Sequence, residues 1–123
     1  MTSKKLNNAW NEYLSVKPTT RDIALIFFCN DQEGICELAW KELKSRKDKE
    51  NEDIIMPILY CRGPRWVKDE AWEMLSERSP SPGELERIAS GLHPSDPIVK
   101  DIIKTFGVNK EYLLQKVKEA SVQ

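Results

Sequence analysis

Ile35-Cys36-Glu37-Leu38-Ala39-Trp40-Lys41-Glu42-Leu43 is followed, 32 residues on, by Val67-Lys68-Asp69-Glu70-Ala71-Trp72-Glu73-Met74-Leu75. Both stretches are apolar at their first, fifth and ninth positions, and Ile98, Ile102 and Phe106 repeat that spacing a third time. An interval of four lines one face of an α-helix, because successive side chains turn by about 100°. The pair Ala-Trp also occurs as Ala9-Trp10, Ala39-Trp40 and Ala71-Trp72. A unit of about thirty residues therefore recurs along the chain.

Sliding the sequence by 32 sets Ile26 on Ile58, Cys29 on Cys61, Ile35 on Val67, Ala39 on Ala71 and Leu43 on Leu75 without a gap. A further slide of 31 sets Ile58 on Ala89, Cys61 on Leu92, Val67 on Ile98, Ala71 on Ile102 and Leu75 on Phe106. The first half of each unit carries its own helical stripe: Ile23/Ile26/Phe27, Ile54/Ile58/Cys61 and Leu85/Ile88/Ala89/Leu92. Strand-like alternation is nowhere sustained. Each unit thus reads as a pair of helices.

The residues between these stripes are those that start and stop helices. Thr19 to Asp22, Asn30 to Glu33 and Ser81 to Glu84 each place an acid three residues after a capping side chain, and Asn51, Ser95 and Asn109 are further caps. Pro64, Pro94 and Pro97 are assigned to turns between paired helices, and Gly107 to a helix stop. Charge-rich Lys44 to Glu52 is assigned to a solvated connection. Pro57 interrupts an otherwise helical run, so that helix is expected to kink or to start late.

The expected fold is all-α, a short α-solenoid (an α-α superhelix) of three helix-pair repeats at 19–50, 51–81 and 82–108. Half-repeats flank it, a leading helix at about 4–15 and a trailing one at about 110–120, where Leu113, Val117 and Ala120 repeat the spacing of Leu85, Ala89 and Leu92. Roughly eight helices result, in one domain spanning residues 1–123. The Val/Ile-x-x-x-Ala-Trp-x-x-Leu helix, preceded by an apolar helix and a short turn, resembles the HEAT-like and leucine-rich-repeat-variant α-helical repeats. That resemblance implies a superhelical stack that binds other macromolecules along one surface, and it carries over no catalytic residue.

Composition bounds the function. A chain of 123 residues buries roughly two thirds of the surface it exposes when unfolded, and needs neither metal nor disulfide to hold a core. With 19 basic and 20 acidic side chains and a net charge of -1, it lacks the overall basic character of a nucleic-acid binder. Three cysteines make no disulfide framework, so a reducing, cytoplasmic setting is expected. The longest apolar run, Ile23 to Cys29, is far too short to span a bilayer, and no membrane association is expected.

Catalytic and metal-binding patterns are weak. His93 stands alone, aligned with Asn30 and Arg62, and reads as a turn residue. Cys29 and Cys36 would make a redox or metal pair if brought together, but Cys29 aligns with Cys61 at an expected inward position, which favours packing. The acids in Glu50/Glu52 and Asp69/Glu70 read as solvated faces. No cofactor, metal site or catalytic residue is expected.

Trp10, Trp40 and Trp72 share one repeat position and are expected to cover seams between helices. Trp66 differs, because its repeat partners are Gly34 and Pro97 and its neighbours are Arg62, Arg65 and Lys68. Tryptophan and arginine dominate interface energetics, so Arg62, Arg65, Trp66 and Lys68 form the candidate binding patch, unless Trp66 folds back over its own turn. A non-catalytic protein-protein interaction or scaffolding module is the favoured function, with another protein as partner or a second copy docking on a free edge. A solenoid binding nucleic acid through this patch, helped by Lys44, Arg46, Lys47 and Lys49, ranks below it. A subunit of an enzyme such as a HEAT-type lyase ranks last.

Overall fold

The computed structural model describes residues 4–29 and 33–106. Among them are seven α-helices and no strand: α1 Lys4–Ser15, α2 Thr20–Cys29, α3 Glu33–Ser45, α4 Asn51–Tyr60, α5 Arg65–Ser76, α6 Pro82–Gly91 and α7 Pro97–Phe106. The leading helix and the six helices that follow it fall where the stripes put them. The expected helix at about 110–120 lies outside the described residues, as do the caps at Asn30 and Asn109 and the stop at Gly107. Among the described residues, no helix is long and apolar enough to cross a membrane.

Capping chemistry sets several helix starts. Thr19 and Asp22 exchange bonds at α2: the Thr19 N–H donates to the Asp22 carboxylate at 2.9 Å, and the Asp22 N–H donates to the Thr19 hydroxyl at 3.1 Å. Ser81 and Glu84 do the same at α6, at 2.8 and 3.2 Å. Two expectations are corrected at α7. Asp96, not Ser95, caps it by accepting from the Ile98 N–H at 2.9 Å, while the Ser95 hydroxyl turns to His93 Nδ1 at 2.7 Å. Pro97 is the first residue of α7 instead of a turn residue, a position where its missing N–H costs nothing. The late start considered for α4 is also overturned. That helix begins at Asn51 with Pro57 buried inside it, because the Asp53 carboxylate secures its first turn by accepting from the Glu50 N–H at 2.8 Å.

The chain packs as two compact units, one running to Leu75 and the other starting at Ser76. In the first unit α2 packs on α3 and on α4, and α1 packs on α3. Its core holds Ile23, Ala24 and Phe27 of α2, Cys36, Ala39, Trp40 and Leu43 of α3, and a run from Asp53 to Ile58 that is buried all round α4. Val67, Ala71 and Leu75 of α5 are completely buried, as their spacing of four along one helix face requires. In the second unit α6 packs on α7, around Leu85, Ile88, Ala89, Leu92, Ile98, Val99 and Ile102.

Polar ties tighten the first unit. Trp40 is fully buried, and its indole Nε1 donates to Glu70 Oε1 at 3.1 Å. Lys44 Nζ donates to the same oxygen at 2.9 Å and lies 5.9 Å from the centre of the Trp40 ring. The bond from Lys44 and then that from Trp40 hold the Glu70 carboxyl below its ordinary range. Glu70 is thus half-buried and bonded across to α3, not the solvated acid expected from its charged surroundings. Asp53, 3% exposed, accepts from Arg21 of α2, and Thr20 donates to Asp48 in the α3–α4 connection.

Candidate functional site

The site is built where α4 ends and α5 begins. α4 stops at Tyr60, and the Cys61 N–H closes it on the Pro57 carbonyl at 3.1 Å. The turn Cys61-Arg62-Gly63-Pro64 follows, with a cis bond between Gly63 and Pro64. Gly63 has φ 151°, a conformation that a side chain would strain, so glycine is needed for this turn. The turn leaves Arg62 exposed and Cys61 buried, and the Cys61 thiol donates to the Gly63 carbonyl at 3.6 Å.

Beside this turn lies an open cleft of about 700 Å³, lined by Phe28 of α2, Leu59 and Tyr60 of α4, Cys61 and Arg62 of the turn, and Lys68 of α5. Phe28 is 61% exposed and meets Tyr60 edge-on, with ring centres 5.0 Å apart. That contact is a favourable aromatic geometry and fixes the cleft's wall. Among the described residues, no acid lines the cleft.

The four residues of the candidate patch divide. Arg62 and Lys68 meet at the cleft, whereas Arg65 and Trp66 do not line it. Helix geometry accounts for Trp66, since Trp66 and Lys68, two apart on α5, point about 200° from one another. Arg65 Nε is held by Asp69 Oδ1, one turn on, at 3.0 Å. Trp66 is 44% exposed, among the large apolar side chains most open to solvent. Arg62 and Lys68 have no hydrogen bond or ion pair with any described residue. The supporting cations named for nucleic acid are mostly committed elsewhere. Lys44 pairs with Glu70, Arg46 pairs with Glu42 and donates to the Pro18 carbonyl, and Lys49 donates to the carbonyls of Lys44 and Arg46.

The cysteine reading needs correction too. Cys29, aligned with Cys61 as an inward residue, is exposed, because it is the last residue of α2 and lies off its buried stripe. The thiols that meet are those of Cys36 and Cys61, both buried. A hydrogen bond with Cys36, and then burial, push the Cys61 thiol above its ordinary range, which keeps it protonated and unreactive. His93 is exposed and bonded within its own turn. Among the described residues, no group of three His, Cys, Asp or Glu side chains is placed to hold a metal ion.

Sequence reasoning missed Phe28, Leu59 and Tyr60. Phe28 was open to discovery: Phe27 and Phe28 are adjacent, and a helix that buries one turns the other about 100° toward water. Comparisons with known protein families, curated proteins and solved structures give no match for this chain.

Proposed function

We propose that this chain is a non-catalytic protein-binding module whose helix pairs stack as a short HEAT-like solenoid, and that it engages its partner around the α4–α5 turn. One observation carries the reading. Two large aromatic side chains, Phe28 and Trp66, stand open to water in the same unit as Arg62 and Lys68, which line an open cleft beside Phe28. Exposed aromatics cost free energy in a free monomer, and together with arginine they are the side chains that dominate binding at interfaces. The stacking is supported by the first unit, where α2 packs on the next first-position helix, α4, and α1 packs on the next second-position helix, α3. Stacked helix pairs make an extended surface and need no deep pocket to bind.

The test is affinity capture from lysate of the native host, comparing wild type with Trp66→Ala and with Phe28→Ala after circular dichroism shows all three folded. A partner lost in either variant and kept by a control such as Lys47→Ala is the expected result. Identical captures from all four proteins would remove both aromatics from the binding surface and sink the reading.

A further inference from the structure

Resting on the helix-stacking part of that reading, we infer that an open apolar groove between α1 and α2 receives residues 110–120 of a second copy, so that chains join head to tail. Two equivalent helices of the first unit differ in how far they are covered. α4, with α2 packed against it, is buried all round from Asp53 to Ile58, and Cys61 just beyond it is buried too. The shift of 32 sets Leu25, Ile26 and Cys29 of α2 on Pro57, Ile58 and Cys61. Yet Leu25 is 43% exposed, Ile26 is half-buried and Cys29 is open to water. The same apolar positions are covered on one helix and bare on the other.

These three side chains line a groove of about 460 Å³, whose other wall includes Tyr13 and Val16 at the end of α1. A second recess, of about 280 Å³, shares Tyr13 and Ile26 with it and carries the apolar lining back along α1 to Leu6. From Leu6 to Val16 is about 15 Å at the rise of a helix. An apolar surface of this extent marks a docking site. Within one chain it stays open, with Val16 at 72% exposure, so its occupant comes from another molecule.

The repeat selects the occupant. What stands against α2 within the chain is another first-position helix, α4. Leu113, Val117 and Ala120 repeat the apolar spacing of Leu85, Ala89 and Leu92, the stripe of a first-position helix. The helix expected at 110–120 spans about 16 Å, the length of the groove. The groove's rim carries one charge of each sign, Lys17 and Asp22, and the segment brings both signs in Glu111, Lys116 and Glu119. Supplied by a second copy, it would precede α1 as α2 precedes α3, carrying the alternation of helices from one molecule into the next. Groove and segment are different surfaces, so the contact is heterologous and each chain both gives and receives.

The experiment follows association of the full chain by sedimentation velocity and light scattering, from micromolar to millimolar concentration. The wild type is expected to grow beyond a dimer as concentration rises. Leu25→Asp in the groove, or Leu113→Asp/Val117→Asp in the segment, should each weaken association about tenfold or more. Mixed together, these two variants keep one intact groove and one intact segment between them, and should stop at a one-to-one pair. Circular dichroism checks each fold. Should the segment variant not fold, a synthetic peptide of residues 108–123 replaces it: in excess it should return the wild type to monomers and move the ¹⁵N resonances of Val16, Leu25, Ile26 and Cys29. A monomer at millimolar concentration, a dimer that survives the segment substitutions, indifference to Leu25→Asp, or a peptide without effect would each overturn the inference. Monomers that still lose a partner through Trp66→Ala would leave the protein-binding reading standing alone. Chains that join while capture ignores both Trp66 and Phe28 would uphold the groove and sink that binding surface.

Discussion

Asp53 is a carboxylate at 3% exposure, and removing its partner should cost as much as removing Asp53 itself. Its Oδ1 accepts from Arg21 Nε and its Oδ2 from the Glu50 N–H, the latter at 2.8 Å. Asp53→Ala leaves the first turn of α4 without its acceptor, a loss of about 1 kcal/mol by analogy with helix caps. It also removes a charge-assisted bond, worth about 1.5 to 3 kcal/mol when fully buried. The Arg21 side chain is 46% exposed and rehydrates readily, so that second contribution falls to about 1 kcal/mol and the total to about 2 kcal/mol. Arg21→Ala is different in kind, because it strands a buried negative charge with a single backbone donor. Fully buried pairs lose about 3 to 5 kcal/mol this way, and water reaching the vacated edge reduces the figure to about 2 kcal/mol. Once Asp53 is gone, Arg21 has no charge left to compensate. The double variant should therefore be about as stable as Asp53→Ala alone, giving a coupling of about 2 kcal/mol. Urea unfolding of the four proteins measures this. Single-variant losses that add to within about 0.5 kcal/mol, or an Asp53→Ala loss below that value, would refute the ion pair as an element of stability.

Ala71→Asp should lose at least about 3 kcal/mol, because Ala71 is completely buried and an unpaired charge would be forced into the core; unchanged thermal stability would refute the repeat register. Acid should weaken the fold through Asp22 and Glu70, whose folded values lie below their ordinary ones, so that the unfolded chain takes up the proton first. Their contribution is complete above about pH 5 and is lost as pH falls through the lowered values, and Glu70→Gln should flatten that limb in an acid titration followed by circular dichroism. A thiol reagent should label Cys29 promptly in the native protein and reach Cys36 and Cys61 only on unfolding; prompt labelling of all three would contradict the buried thiol contact.

The helices were legible because burial follows the period of the helix, and the same stripe returns every thirty or so residues. Ile23 and Phe27, Ala39 and Leu43, and Val67, Ala71 and Leu75 are all buried as the stripes require. Where the chain leaves a helix that logic lapses. Cys29 and Cys61 occupy equivalent places in sequence, yet one is the exposed last residue of α2 and the other lies beyond α4, tucked in beside Gly63 and Cys36. Orientation past a helix end depends on turn geometry, which here includes a glycine at φ 151° and is not repeated in the units on either side.

The polar ties were hidden for another reason. Arg21 to Asp53 spans 32 residues, Trp40 to Glu70 spans 30, Thr20 to Asp48 and Arg46 to Pro18 span 28, and Lys44 to Glu70 spans 26. Each is close to the shift of 32 that sets one Ala-Trp helix on the other in the sequence. Read forward, that interval alone selects nothing, since a shift of 32 also sets Arg46 against Arg78, two like charges. Burial decides between them. Asp53 lies within a run of apolar residues that leaves α4 little exposed surface, so its charge has to find a partner, whereas a charge on an open face is satisfied by water.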